Sequence, residues 1–118
     1  GIPLVQHSLQ MLLEFYFDWI FSLEMIVEKS SHNVAKRFNI KDRGYIREGY
    51  FADLTCVDLD KHYTVKKDNI LFKCGWSPLE NRTLRSSIFA TILNGNIAFK
   101  DGVFAKFPLF GKRLEFNY

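Results

Sequence analysis

Residues 44–60 read GYIREGYFADLTCVDLD, and the chain changes character across them. Gly44 and Gly49 bracket the tetrapeptide 45–48. Glycine takes positive φ without the steric penalty of a β-carbon, so both glycines mark turns. After Phe51 the run 52–58 has the apolar and β-branched content of a strand. The expectation is an α+β arrangement in which a helical segment hands over to a small β-layer. The one candidate boundary lies near 41–44, dividing the chain into 1–43 and 44–118.

Upstream of that stretch the periodicity is helical. Pro3 and Gly1 resist helix, so 1–7 reads as a loop, and Ser8 is placed to cap a first helix. Leu9, Leu12, Leu13, Tyr16 and Phe17 recur at the spacing of one helical face. Residues 18–21 connect to a second helix, with Ser22 as its cap and Glu24 in the first turn, where the helix dipole favours an anion. Leu23, Ile26 and Val27 supply its buried face. The Ser30-Ser31 pair is expected to break it and cap a third helix over 33–38, with Lys36 and Arg37 at the favourable end.

Downstream the signals are those of strands. Leu54 alternates with Cys56, which reads as a small buried hydrophobe. Residues 61–65 form a short strand with Tyr63 and Val65 on one face, while 68–73 stays open between a helical turn and extended chain. Residues 75–83 form an irregular loop anchored by Trp76 and Leu79. Over 85–105, apolar alternation is interrupted by Asn94-Gly95 and again by Asp101-Gly102. These are two-residue hairpin signals, because both central positions of a type I′ turn need positive φ. Together they specify a three-strand meander. The end, 106–118, holds Phe107, Leu109, Phe110, Leu114 and Phe116, too apolar for a free solvated tail.

Composition bounds the function. A hydrophobic fraction of 47% supports a core and excludes disorder, and twelve phenylalanines exceed what a chain of 118 residues buries by itself. Another layer is expected to cover some of them. Net charge is +3 from well-mixed charges, without the basic stripe of a nucleic-acid binder. Cys56 and Cys74 are too few for a disulfide framework and read as reduced thiols of a cytoplasmic protein. No apolar run is long enough to span a membrane, since Glu14 and Asp18 interrupt the richest one.

Motifs for chemistry are missing. His7, His32 and His62 show no HxH or HExxH spacing, and the glycines form no phosphate-binding loop. There is no GxSxG elbow. Asp53 and Asp58, five apart on an alternating strand, point to opposite faces and cannot share a proton. From residues alone, neither a catalytic residue nor a metal ligand is assigned to this chain.

The stretch 41–58, KDRGYIREGYFADLTCVD, nevertheless resembles the C-terminal portion of the cyclic amidohydrolases, whose pattern is G-x-I-x-x-G-x-x-A-D-L-hydrophobic-x-hydrophobic-D. Gly44, Ile46, Gly49, Ala52, Asp53, Leu54 and Asp58 match it. Val34-Ala35-Lys36-Arg37-Phe38 is similar to the family's N-P-A-K/R-hydrophobic segment, with Val34 in place of proline. Thr91-Ile92-Leu93-Asn94-Gly95 is like its T-hydrophobic-V-N-G hairpin. Gly75-Trp76-Ser77-Pro78-Leu79-Glu80 is similar to the S-P-F-E-G segment of dihydroorotases, which narrows the resemblance to them.

The resemblance implies a fragment: the last helices of a TIM-type amidohydrolase barrel (1–43), followed by the C-terminal strands of a small composite β-sandwich (44–118). It implies that the parent is a zinc-dependent dihydroorotase, reversibly hydrolysing dihydroorotate to N-carbamoyl-aspartate in pyrimidine synthesis. The zinc ligands and catalytic aspartate would lie N-terminal to Gly1, so that the fragment alone is inactive and binds no zinc. Gly1, aligned with the loop after the eighth barrel strand, is the only site residue carried over, through its backbone against the substrate. The alternatives are a hydantoinase- or allantoinase-like enzyme, or a non-catalytic interaction module. Neither nucleic acid nor membrane is expected as a partner. Open sheet edges lead us to expect self-association.

Overall fold

The computed structural model describes all 118 residues. In chain order its elements are α1 (Ser8–Phe17), α2 (Leu23–Val27), α3 (Asn33–Arg37), β1 (Leu54–Asp58), β2 (Tyr63–Thr64), β3 (Thr83–Leu84), β4 (Ser87–Leu93), β5 (Asn96–Lys100) and β6 (Val103–Phe104). They fall into two units, Gly1–Ser22 with Asp58–Ser87, and Leu23–Val57 with Ile88–Tyr118. No helix is long and apolar enough to cross a membrane.

In the first unit a 3₁₀ turn, Val5–His7, leads into α1. The antiparallel pair β2/β3, with Tyr63 opposite Leu84, closes a core of Val65, Leu79 and Leu84. Leu4, Met11, Tyr63 and Ile70 pack around that core, so Tyr63 and Val65 share a face as their spacing requires. Leu79 anchors its loop from within the core, while Trp76 is about half exposed. Between the strands, Lys67–Asn69 forms a 3₁₀ turn closed by the Asn69 side chain, whose Oδ1 accepts from the Lys66 N–H.

Two features of α1 differ from the sequence expectation. Ser8 is the first helical residue rather than the cap, and its hydroxyl donates back to the Val5 carbonyl at 3.2 Å. The buried positions are Gln10 and Leu13, with Leu9, Leu12, Tyr16 and Phe17 only half-buried. A polar residue sits inward because its amide has a specific partner: Gln10 Nε2 donates to the Ser86 carbonyl at 2.9 Å. Burying an amide is costly unless its hydrogen bonds are remade. The acids that interrupt the apolar run are also used. Arg85 donates through Nε to both carboxylate oxygens of Glu14 at 3.3 Å, and through Nη2 to Asp18 at 2.8 Å.

In the second unit, 23–37 is one continuous helix rather than two. A wide π turn, Glu28–His32, joins α2 to α3. The serines do not break it. The Ser30 hydroxyl donates to the Ile26 carbonyl at 2.7 Å, the four-residue back-bond that lets serine sit inside a helix. Ile26 is buried, whereas Val27, assigned to the same face by its spacing, is exposed. Beyond Ile26 the wide turn moves the next inward position from Ser30 to Ser31, ahead of buried Ala35, which a uniform 3.6-residue period cannot anticipate.

The sheet of this unit runs β1-β4-β5-β6, with β4/β5 and β5/β6 antiparallel. Both hairpins form as their sequences require: Asn94 and Gly95 have φ of 50° and 82°, and Asp101 and Gly102 have 47° and 82°. A register shift between Thr91 and Ile92 bends the first hairpin. Cys56 is exposed, contrary to the alternation reading. The tail departs from expectation in the same way. Its backbone is pinned by Lys41 N–H to Glu115 O and by Asn117 N–H to Asn39 O, yet Phe107 and Phe110 point into solvent.

Candidate functional site

The signature 41–58 is where the structure concentrates its specific contacts. Gly44 has φ of 84°, and a β-carbon built there would lie 2.5 Å from the Ala35 Cβ and 2.9 Å from the Ser31 carbonyl oxygen. The turn therefore presses its backbone onto the helix at a point only glycine admits. His32 holds it there, its Nδ1 2.6 Å from the Gly44 carbonyl and its ring stacked on Tyr45 at 4.1 Å. That geometry has Nδ1 donating, since a carbonyl oxygen only accepts.

Asp53 stands at the entry to β1. One carboxylate oxygen accepts the Asn94 N–H at 2.7 Å, and the other pairs with Arg43 Nη1. Arg43 also donates to the Lys112 carbonyl at 3.1 Å, and its guanidinium lies 4.3 Å from the centroid of Phe51. Beside it, Gly95 N–H donates to the Ala52 carbonyl at 3.0 Å. The Ala-Asp-Leu segment and the Asn-Gly hairpin thus form one latch, with a charge-assisted hydrogen bond from the turn backbone to a carboxylate at its centre. Asp58 is engaged separately, accepting the Asp60 N–H at 2.9 Å. The two aspartates do not form a pair.

The histidines are dispersed. His7 is enclosed in the first unit against the rings of Tyr63 (5.8 Å) and Phe72 (6.4 Å), and neither ring nitrogen has a hydrogen-bond partner. Burial pushes its pKa down, because a charged imidazole there would lose its hydration. Burial, and next the charge of Asp68, pushes the Tyr63 hydroxyl up. Gly1 is exposed, with no atom within 4 Å of where its β-carbon would stand. Nowhere do three His, Cys, Asp or Glu side chains converge as a metal ion requires. The residues present do not fit a zinc centre, and no catalytic step is assigned to them.

Sequence reading did not find the partners of these groups. Arg43, His32, Asn94 and Ser86 act over separations of 10 to 76 residues (Arg43 with Asp53 being the nearest), beyond any local period. The one usable signal was that Asp53 and Asn94-Gly95 both belong to amidohydrolase patterns.

No family model matches the sequence. Individual relatives do. An allantoinase of Desulfitobacterium hafniense is 38% identical over 116 residues, 98% of this chain and 26% of its own length. A dihydroorotase of Pyrococcus abyssi is 36% identical over 101 residues, 86% of this chain and 25% of its own length. A dihydroorotase of Fusobacterium nucleatum is 39% identical over 92 residues, 78% of this chain and 21% of its own length.

The chain is a homologue of one segment of the dihydroorotases and allantoinases, and it spans about a quarter of the length of the relatives it matches.

Proposed function

We propose that these 118 residues are the C-terminal part of a dihydroorotase, comprising the last helices of its barrel (1–43) and the closing strands of a composite β-sandwich (44–118). In the parent, water would add to the ring amide carbonyl of dihydroorotate at a zinc site whose ligands lie outside this chain. The C–N bond then breaks, giving N-carbamoyl-aspartate, and the reverse reaction closes the ring in pyrimidine biosynthesis. The residues that hold zinc and move the proton lie outside this chain. Its own part is architectural: a latched turn and sheet that support the barrel. Gly1 is its sole contact with substrate, through the backbone. The free thiols of Cys56 and Cys74 support a cytoplasmic location for the parent.

The observation that favours dihydroorotate is the segment Ser77-Pro78-Leu79-Glu80. Ser77 Oγ accepts the Leu79 N–H at 3.1 Å, and Leu79 fills the core where the dihydroorotase pattern has phenylalanine. This turn is specified by packing, so the match to S-P-F-E-G is more than a string of letters. The allantoinase reading is favoured instead by the 38% identity over nearly the whole chain. Assaying the complete encoded polypeptide on dihydroorotate and on allantoin decides between them. Turnover of dihydroorotate supports the proposal; turnover of allantoin alone overturns it.

A further inference from the structure

Asn94 is the only asparagine in the chain that precedes glycine; every other one precedes Val, Ile, Arg or Tyr. An Asn-Gly pair carries its own reaction. The glycine nitrogen can attack the carbonyl carbon of the asparagine side chain, and without a β-carbon its approach is open. Gly95 is exposed, and a β-carbon built there would meet nothing within 4 Å, so the surroundings supply no steric shield either.

What the structure does control is the attacking nitrogen and the backbone that carries it. Gly95 N–H donates to the Ala52 carbonyl at 3.0 Å, which holds the proton that must leave before the nitrogen can attack. Asn94 N–H donates to Asp53 at 2.7 Å, and the Asn96 side-chain amide donates to the Asn94 carbonyl at 3.3 Å. Asn94 and Gly95 are fixed at φ of 50° and 82°. Closing a five-membered ring requires rotation about the Asn94 Cα–C bond, away from the conformation the tight turn imposes. Every one of these restraints is a contact of the latch or of the hairpin it fastens.

We propose that Asn94-Gly95 is a self-modification site that the Asp53 latch keeps closed and that reacts when the latch opens. The Gly95 nitrogen bonds to Asn94 Cγ, the C–N bond of the side-chain amide breaks, and ammonia leaves with the proton that Gly95 has given up. Water then opens the cyclic imide at either carbonyl, giving aspartate or isoaspartate, with no oxidant or reductant involved. The product bears a carboxylate on the very residue whose N–H Asp53 accepts, and like charges there repel. Isoaspartate also adds a methylene to the backbone of the turn. Both changes oppose reclosure, so a transient opening of the hairpin becomes permanent.

The test incubates the complete encoded polypeptide, its Asp53→Ala, Asp53→Asn and Leu84→Ala variants, and a synthetic peptide of residues 86–100 in the same mildly alkaline buffer. Trypsin cuts after Arg85 and Lys100, so mass spectrometry follows the same peptide in every sample, and fragment ions separate Asn94 from Asn96. In the wild-type protein Asn94 should convert at least about a hundredfold more slowly than in the free peptide, because reaction passes only through the open fraction. Asp53→Ala should raise that rate at least about tenfold, as expected for loss of one charge-assisted hydrogen bond, and Asp53→Asn by less. Leu84→Ala weakens the core of the other unit and should leave the rate unchanged. Wild-type conversion at the peptide's rate would overturn the proposal, as would equal acceleration by Leu84→Ala and Asp53→Ala. If Asp53→Ala does not fold, Asp53→Asn decides: a rate above wild type supports the latch, and an unchanged rate overturns it. The deamidated protein, separated by ion exchange, should melt below the intact form; equal midpoints would overturn the claim that opening becomes permanent.

Discussion

Asp53 Oδ1 accepts the backbone N–H of Asn94 at 2.7 Å across 41 residues of chain, while Oδ2 of the same carboxylate pairs with Arg43. One side chain therefore ties the turn before β1 to the hairpin between β4 and β5. The chain needs an acid here for two reasons. The turn N–H requires an acceptor, and the half-buried guanidinium of Arg43 requires a charge. Asp53→Ala removes both and is expected to cost about 2–4 kcal/mol, measured as a lowered midpoint in urea unfolding. Asp53→Asn keeps an acceptor and loses only the charge, so a smaller loss is expected. Equal losses would show that the backbone hydrogen bond contributes nothing.

Gly44 and Gly49 share a positive φ and differ in surroundings, which separates two costs. At Gly49 a β-carbon meets nothing within 4 Å, so Gly49→Ala carries the backbone penalty alone, about 1–2 kcal/mol. At Gly44 the same carbon collides with Ala35 and with the Ser31 carbonyl, and Gly44→Ala is expected to cost at least about 1 kcal/mol more. Thermal or urea unfolding of the two variants, side by side, checks the order.

His7 makes stability depend on pH in one direction. Its folded pKa lies below the ordinary 6.5, so between the folded and unfolded values the unfolded chain binds more protons. Stability is full above about 6.5 and falls as pH drops beneath it, until the folded-state value is passed. His7→Phe removes this group and is expected to flatten the profile below pH 6.5. A mutant profile as steep as the parent's would assign the acid sensitivity to the carboxylates.

Leu84 is buried against Val65 and Leu79. Leu84→Ala is expected to cost about 2–4 kcal/mol through lost burial and the cavity left behind. Phe107→Ala, by contrast, removes a side chain that is 80% exposed and is expected to stay within about 0.5 kcal/mol in this chain. The same denaturation series reads both.

What the sequence makes legible is whatever local chemistry decides. Asn94-Gly95 and Asp101-Gly102 announce both hairpins because few other residues tolerate their backbone angles, and Tyr63 and Val65 show their shared face by alternation. The failures have a common origin in partners distant along the chain or absent from it. Ser30 looks like a breaker until its hydroxyl is seen returning to Ile26. Gln10 looks like a polar interruption until Ser86 is placed opposite it. Cys56, Phe107 and Phe110 look buried because alternation and composition report which residues want cover, not whether this chain supplies it. For the candidate site, the resemblance brought out Asp53 and the glycines, while Arg43 and His32 carried no local signal.

We propose that this chain supports an amidohydrolase whose chemistry lies elsewhere in the polypeptide. The most direct measurement purifies the complete encoded polypeptide and the 118-residue chain, and compares their bound zinc and their hydrolysis of dihydroorotate. Zinc and reversible turnover in the complete polypeptide, with neither in the short chain, is the expected result. Stoichiometric zinc and turnover from the 118 residues alone would contradict it.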